Sequence, residues 1–451
     1  MPLAPFLTSY DPSDLPGNSI DPLGFERGYL LLAEKILPGM TNVASEPRYF
    51  AVLCMGAHLA GDVSGATPRK QYKARLERVL RLERFWALAN VLASQEQNDD
   101  EHEELPTHGL RGIVRTREKI EALHEHGADR TDAHFQLLSR QQRYGAVGIY
   151  GVVAERMRFW DGKVLGLTPD LGDRLAEAFA DETGLPREVR RAVTDDGEVR
   201  LSTLEEWGRR AHLSAEPGHH ESRCVADAAY RDPTRARMLE SLEAHPYLGD
   251  DEEELDRLRR LTTEMEGDDE REDLREGLTA IVPYERSYKW ALLAFERLLF
   301  RCRNAPSGTV SPQELQQDPV LELCRDELPK AVDDLDSSLQ SGHTTAFRDG
   351  LERLHDVELF LQHLRHSATR TSDFVSGLLE RHADVQRGKF DRGRPKMPWI
   401  EERAGRLSLT MTKVGGLGRE PTSPDQIEPH PYRLASADAL IDAASASAAA
   451  T

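Results

Sequence analysis

Cysteine, lysine and long apolar runs are all scarce in this 451-residue chain, and each scarcity excludes something. The four cysteines, at 54, 224, 302 and 324, are too few and too scattered for a disulfide framework, and no C-x-x-C pair exists to hold a structural zinc. They read as small buried apolar residues in a reducing compartment. The longest unbroken run of apolar residues and glycine, Tyr144 to Ala154, falls well short of the roughly 20 residues that span a bilayer. Near the N-terminus no basic stretch is followed by an apolar one, so no secretory signal is expected. Together these absences predict a soluble, cytoplasmic protein without a membrane partner.

The common catalytic fingerprints are missing too. There is no G-x-x-x-x-G-K-[ST] loop, no G-x-G-x-x-G, no G-x-S-x-G elbow and no H-E-x-x-H helix. This weighs against an enzyme, and no cofactor is expected. Apolar residues make up 39% of the chain, which with 33 glycines lies in the range of globular proteins. The length suits two or three domains.

Charge is the first positive signal. The net is -20, yet Gly249–Glu276 alone contributes -9 and Ser94–Glu104 a further -6. The remaining body is close to neutral, so a polyanionic partner is not excluded. Arginine outnumbers lysine 48 to 10, a ratio that either high-GC coding or a salt-adapted cytosol would produce.

Apolar periodicity points to a mainly α protein. We expect an N-terminal helical unit over 1–126 and a middle α-rich module over 127–248. An acidic linker over 249–276, a C-terminal helical bundle over 277–390, and a basic extended strap with a disordered tail over 391–451 complete the expected organisation. In the first unit Tyr72, Leu76, Val79, Leu80, Trp86, Ala89 and Leu92 form one stripe of a helix over 68–93, whose other face carries Arg69, Lys70, Lys73, Arg75, Arg78, Arg81 and Arg84. In the middle module, helices over 131–143 and 144–158, a hairpin at Asp161-Gly162 and a helix capped by Thr168-Pro169 give a string compatible with a winged helix. In the bundle, Pro283 is expected to open a helix, with others over 320–339, 344–367 and 372–387. Leu407–Met411 alternates like a strand, followed by a turn at Gly415-Gly416.

Metal-ligand spacings are weak. Two E-x-x-H pairs occur, Glu121/His124 and Glu352/His355, about as many as chance supplies, and the second shares a face with His363 and His366 opposite the apolar stripe. His212, His219, His220 and Cys224 are denser but match no standard zinc spacing. No metal ligand is assigned. The stronger feature is electrostatic: Arg387, Lys389, Arg392, Arg394 and Lys396 lie in one short strip with Phe390 and Trp399. Cations can follow phosphates there while an aromatic ring stacks on a base or anchors the strip. With Arg75 and Arg78 of the basic helix, these are the candidate nucleic-acid contacts. The opposing reading makes Trp399 a dock on the bundle and the helix face an ordinary solvated one.

Several strings together resemble a family of uncharacterised prokaryotic proteins from genomic defence islands. They are Asp21-Pro-Leu-Gly24, Pro38-Gly39-Met-Thr41-Asn42, Arg48-Tyr49-Phe50, Arg143-Tyr144, Leu167-Thr168-Pro169, Val385-Gln386, Lys396-Met-Pro-Trp399 and Tyr432-Arg433. The resemblance implies a non-catalytic accessory subunit of an antiphage-defence or restriction system. Such a subunit would bind protein partners (a helicase, nuclease or modification enzyme), with DNA as a further partner. The alternatives are a metal-dependent nuclease or hydrolase with a dispersed site around His212–Cys224, and a winged-helix transcription regulator.

Overall fold

The computed structural model describes residues 21–61, 67–95, 109–249, 251–391, 393–410 and 419–446. The acidic loop beyond Gln95, the first twenty residues, Arg392, the turn at Gly415-Gly416 and the last five residues lie outside that range. The chain is mainly helical, with short strands. Its contacts divide it into two units, one made of 37–244 with 433–446 and the other of 21–36 with 245–432.

In the first unit the Arg48–Ala60 helix is buried along its length except at His58 and Leu59. Gly56 lets it approach the Pro68–Gln95 helix so closely that a Cβ there would lie 3.0 Å from Val79 Cα. The Leu201–Ala211 helix packs against the same helix through Gly208, where a Cβ would lie 2.0 Å from the Ala89 carbonyl oxygen. Polar anchors fix this crossing: Trp86 Nε1 donates to Ala211 O at 2.6 Å, and Leu213 N donates to Asn90 Oδ1 at 2.7 Å. Tyr49 stacks on Tyr150 with ring centroids 4.5 Å apart, and Phe50 on Phe159 at 5.6 Å.

The middle segment departs from expectation in one element. Residues 131–143 form no helix before the short Gln141–Tyr144 turn. Arg84 donates to Ala133 O at 3.2 Å and to Gln141 Oε1 at 2.8 Å, while Asp132 Oδ1 accepts from His134 N at 3.0 Å. Local and tertiary bonds thus replace the helical ladder. The following elements form: a helix over Ala146–Arg156, a ladder pairing Trp160–Asp161 with Gly166–Leu167, and a helix over Gly172–Glu182. Thr168 is not the cap residue; its hydroxyl accepts from Gly172 N at 3.1 Å and donates to Phe159 O at 3.2 Å, tying the hairpin to the helix. The expected succession of elements therefore lacks its first helix. The alanine-rich tail forms a Leu434–Ser445 helix that packs on the His219–Ala229 helix and buries Leu434, Ala437, Leu440 and Ile441.

The second unit is built on the Glu272–Asn304 helix, 33 residues long. Pro283 sits inside this helix and does not open it. An interior proline costs about 3 kcal/mol or more. Burial of Leu274, Leu278, Ile281 and Tyr284 on either side outweighs that cost. The acidic stretch expected as a linker carries the Glu254–Glu264 helix, whose Leu255, Leu258 and Leu261 are buried, and then begins the long helix. Asp256 and Glu264 of that helix lie on the opposite, exposed face. Around the long helix lie helices over Glu26–Ile36, Pro319–Ser341, His355–Ser367 and Thr371–Arg387. The helix expected over 344–367 is interrupted at Gly350, whose φ of +77° turns the chain. Arg406–Leu409 is the central strand of an antiparallel sheet between Ile400–Arg403 and Thr309–Val310, in the register Ile400↔Leu409 and Val310↔Leu407.

Candidate polyanion-binding surfaces

The basic face of the Pro68–Gln95 helix is largely committed to the unit it belongs to. Arg75 donates to Val164 O at 2.9 Å, and Arg78 to Ala60 O at 2.6 Å. Arg81 donates to Val193 O at 2.8 Å and pairs with Asp196 at 3.0 Å. Arg84 bonds Gln141 and pairs with Glu77. These guanidinium groups tie loops to the helix, and each satisfies a carbonyl that would otherwise need water. Arg69, Lys70 and Lys73, at the helix start, remain exposed.

The second strip divides into an anchored half and an exposed half. Lys389 is buried and donates through Nζ to the Asp21 carbonyl; burial lowers its pKa, opposed by the nearby Asp21 carboxylate. Trp399 packs its ring toward Phe295 and His382, with centroids 6.1 Å and 5.2 Å away. This is the docking role. Arg387 ends its helix and pairs with Asp384. Between these anchors the chain does not run extended: Phe390–Asp391 pairs with Arg394–Pro395 in an antiparallel hairpin closed by Lys396 N donating to Lys389 O at 2.8 Å. Alternation along the strand turns Lys389 inward and leaves Phe390 outward.

Phe390 is 57% exposed, and Met397, an apolar residue that charge patterning passes over, is 61% exposed. The Arg394 side chain is exposed and that of Lys396 half-buried. Arg392 lies outside them.

The histidine-rich segment is not assembled as a metal site. Both ring nitrogens of His212 are engaged, Nδ1 with Ser214 Oγ at 2.7 Å and Nε2 with Ser94 Oγ at 3.1 Å. Burial, helped by the charge of Arg48, pushes its pKa down to about 4. Cys224 is buried, and burial raises its thiol. Glu182 accepts from His220 N at 2.7 Å and Glu221 N at 3.1 Å, capping the His219–Ala229 helix. Glu352 and His355 are exposed on a solvated face, as their spacing suggested.

Two groups escaped sequence reasoning because distant segments assemble them. Glu272, Glu276 and His343 bring potential ligand atoms within 4.8 Å of one another. The Glu276 carboxylate, however, accepts from His343 N at 2.7 Å and Thr344 N at 3.2 Å, and Glu272 is held by Arg275. That is the chemistry of a helix cap. Deeper in the same unit, the buried Glu285 accepts from Tyr432 Oη at 2.6 Å and bonds His430 Nδ1 at 2.9 Å. The imidazole is clamped between the rings of Tyr29, at 4.7 Å, and Tyr288, at 4.1 Å. This arrangement locks the 428–432 segment onto the long helix.

No family model matches the chain, and neither a curated protein nor a solved structure matches it. Among the described residues, no helix is long and apolar enough to cross a membrane.

Proposed function

We propose that the protein is a non-catalytic subunit of a multi-protein assembly, of the antiphage-defence or restriction kind that its short strings resemble. It binds protein partners and holds single-stranded DNA at the 390–397 hairpin. The observation that supports this reading is the exposure of Phe390 on a hairpin that also carries the cations Arg394 and Lys396. An exposed ring that stacks on any base, beside cations that meet phosphates, is the minimal equipment for sequence-tolerant single-strand binding. An anchor on each side, the buried Lys389 and the half-buried Trp399, holds that hairpin in place.

The test is affinity for single-stranded and duplex oligonucleotides over a series of salt concentrations. Log affinity should fall linearly with log salt, with a slope of about -0.7 for each phosphate contacted on a single strand. Phe390→Ala should weaken binding by about 5- to 100-fold, the loss of one stacked base, and leave the melting temperature unchanged. A flat salt response, or a Phe390→Ala variant that binds as tightly as the parent, overturns the DNA contact.

A further inference from the structure

In the first unit a cavity of about 470 Å³ opens beside the Arg187–Asp195 helix. Four arginines, Arg130, Arg187, Arg191 and Arg200, line it with two glutamates, Glu188 and Glu198, leaving a net charge of +2. The volume is that of a small-molecule site, but the lining is charged where such sites are usually apolar.

Three local arrangements here run against helix and strand preferences. Arg130 and Arg200 face each other directly across a two-residue antiparallel ladder, where like charges repel. Arg187 and Arg191 are one helical turn apart, a second like-charge pair. Arg187 also occupies the first position of its helix, where the dipole disfavours a cation and no side chain caps the exposed N–H groups.

Glu188 resolves the first of these conflicts and, as the acid of the helix's first turn, offsets the third, which leaves the Arg187/Arg191 repulsion. Its carboxylate accepts from Arg130 Nη2 at 2.7 Å, from Arg200 Nε at 3.2 Å and from Thr203 Oγ1 at 3.3 Å. Burial alone would raise its pKa, but these arginine bonds outweigh it and hold the group below the usual carboxylate value. The Arg187 and Arg191 side chains are exposed and make no hydrogen bond or ion pair among the described residues. Local rules broken together in one concavity mark a functional site more often than an accident.

The walls are rigid. Val189 and Val193 bury the far side of the helix. Asp196, at φ 62°, closes its end, pinned by Arg81 at 3.0 Å and His134 at 2.7 Å. Leu201 N donates to Asp129 O at 2.9 Å and extends the ladder.

We propose that this cavity binds a small phosphate-bearing anion of at least two negative charges, such as the phosphate chain of a nucleotide, through Arg187 and Arg191. Planar guanidinium groups match phosphate oxygens two at a time, and a dianion would relieve the remaining repulsion. Glu188 takes no part in contacting the anion; it positions Arg130 and Arg200 at the rim.

The test uses the full chain, with inorganic phosphate, pyrophosphate and ATP as probes at constant ionic strength, followed by calorimetry and thermal shift. Saturable binding of pyrophosphate or ATP below about 1 mM is expected. Arg187→Gln and Arg191→Gln should each weaken it by about tenfold or more, the loss of a charge-assisted bond. The melting temperature of the unliganded variants should hold or rise, because each substitution removes a repelling charge; a purely structural arginine would lower it. Phe390→Ala should bind these probes like the parent, which separates this site from the hairpin. Absence of saturable binding, or binding indifferent to both arginine substitutions, overturns the proposal. So does an arginine-sensitive affinity for oligonucleotides alone, which would make the cavity part of a nucleic-acid surface.

Discussion

The backbone N–H of Trp399 donates to Nε2 of His382 at 2.9 Å, and Nδ1 of the same ring meets the Pro22 carbonyl at 2.9 Å. These two bonds require the neutral ring with its proton on Nδ1. A second proton would set N–H against N–H. Burial, aided by nearby Lys389, pushes the pKa of His382 down to about 4, and the Pro22 carbonyl only partly opposes this.

The consequence is acid lability. An unfolded histidine, with a pKa near 6.5, binds a proton that the folded one refuses until about pH 4. The stabilisation is therefore complete above about pH 6.5 and is lost as pH falls toward 4, amounting to about 3 kcal/mol. His382→Gln should flatten the pH dependence of stability in that window, read by denaturant unfolding at several pH values. An unchanged dependence would refute the assignment.

Arg48 and Glu221 form a buried bidentate pair at 3.2 and 2.9 Å, with Arg48 also donating to His212 O at 3.0 Å. Burial raises the Glu221 carboxyl, and Arg48 is what opposes it. Arg48→Met should lower stability by about 3–5 kcal/mol, because it strands a buried carboxylate. Arg48→Met combined with Glu221→Leu should recover most of the loss, in a double-mutant cycle followed by chemical denaturation.

Gly208→Ala tests the crossing of the Pro68–Gln95 and Leu201–Ala211 helices. With the Ala89 carbonyl oxygen 2.0 Å from the new Cβ, the backbones must part, and a loss of about 1–3 kcal/mol is expected from overpacking. A melting temperature equal to the parent's would show that the helices are not in contact there.

Arg75→Gln and Arg78→Gln separate structural from binding arginines. Both guanidinium groups bond backbone carbonyls. Each substitution should cost about 1 kcal/mol of stability and leave the salt dependence of oligonucleotide binding unaltered. A reduced salt slope would return this face to the binding surface.

Periodicity alone was enough to define the long helices that bury one stripe, because an apolar stripe must be buried whatever it packs against. The Pro68–Gln95 helix and its leucine face are the clearest instance, whereas the short helices over Arg187–Asp195, Leu201–Ala211, His219–Ala229 and Pro233–Ala244 carried too few apolar positions to stand out. It also separated the solvated histidine face of His355–Ser367 from its buried one. Composition misled where burial overrode local preference. Pro283 lies inside a helix, and three leucines bring an acidic stretch into the fold. Which arginines are engaged was beyond the sequence, since Arg78 and Arg187 are alike as letters. Only the folded chain sets one against a carbonyl and leaves the other facing a cavity, because a guanidinium group's partner is a matter of distance in space and not of position along the chain.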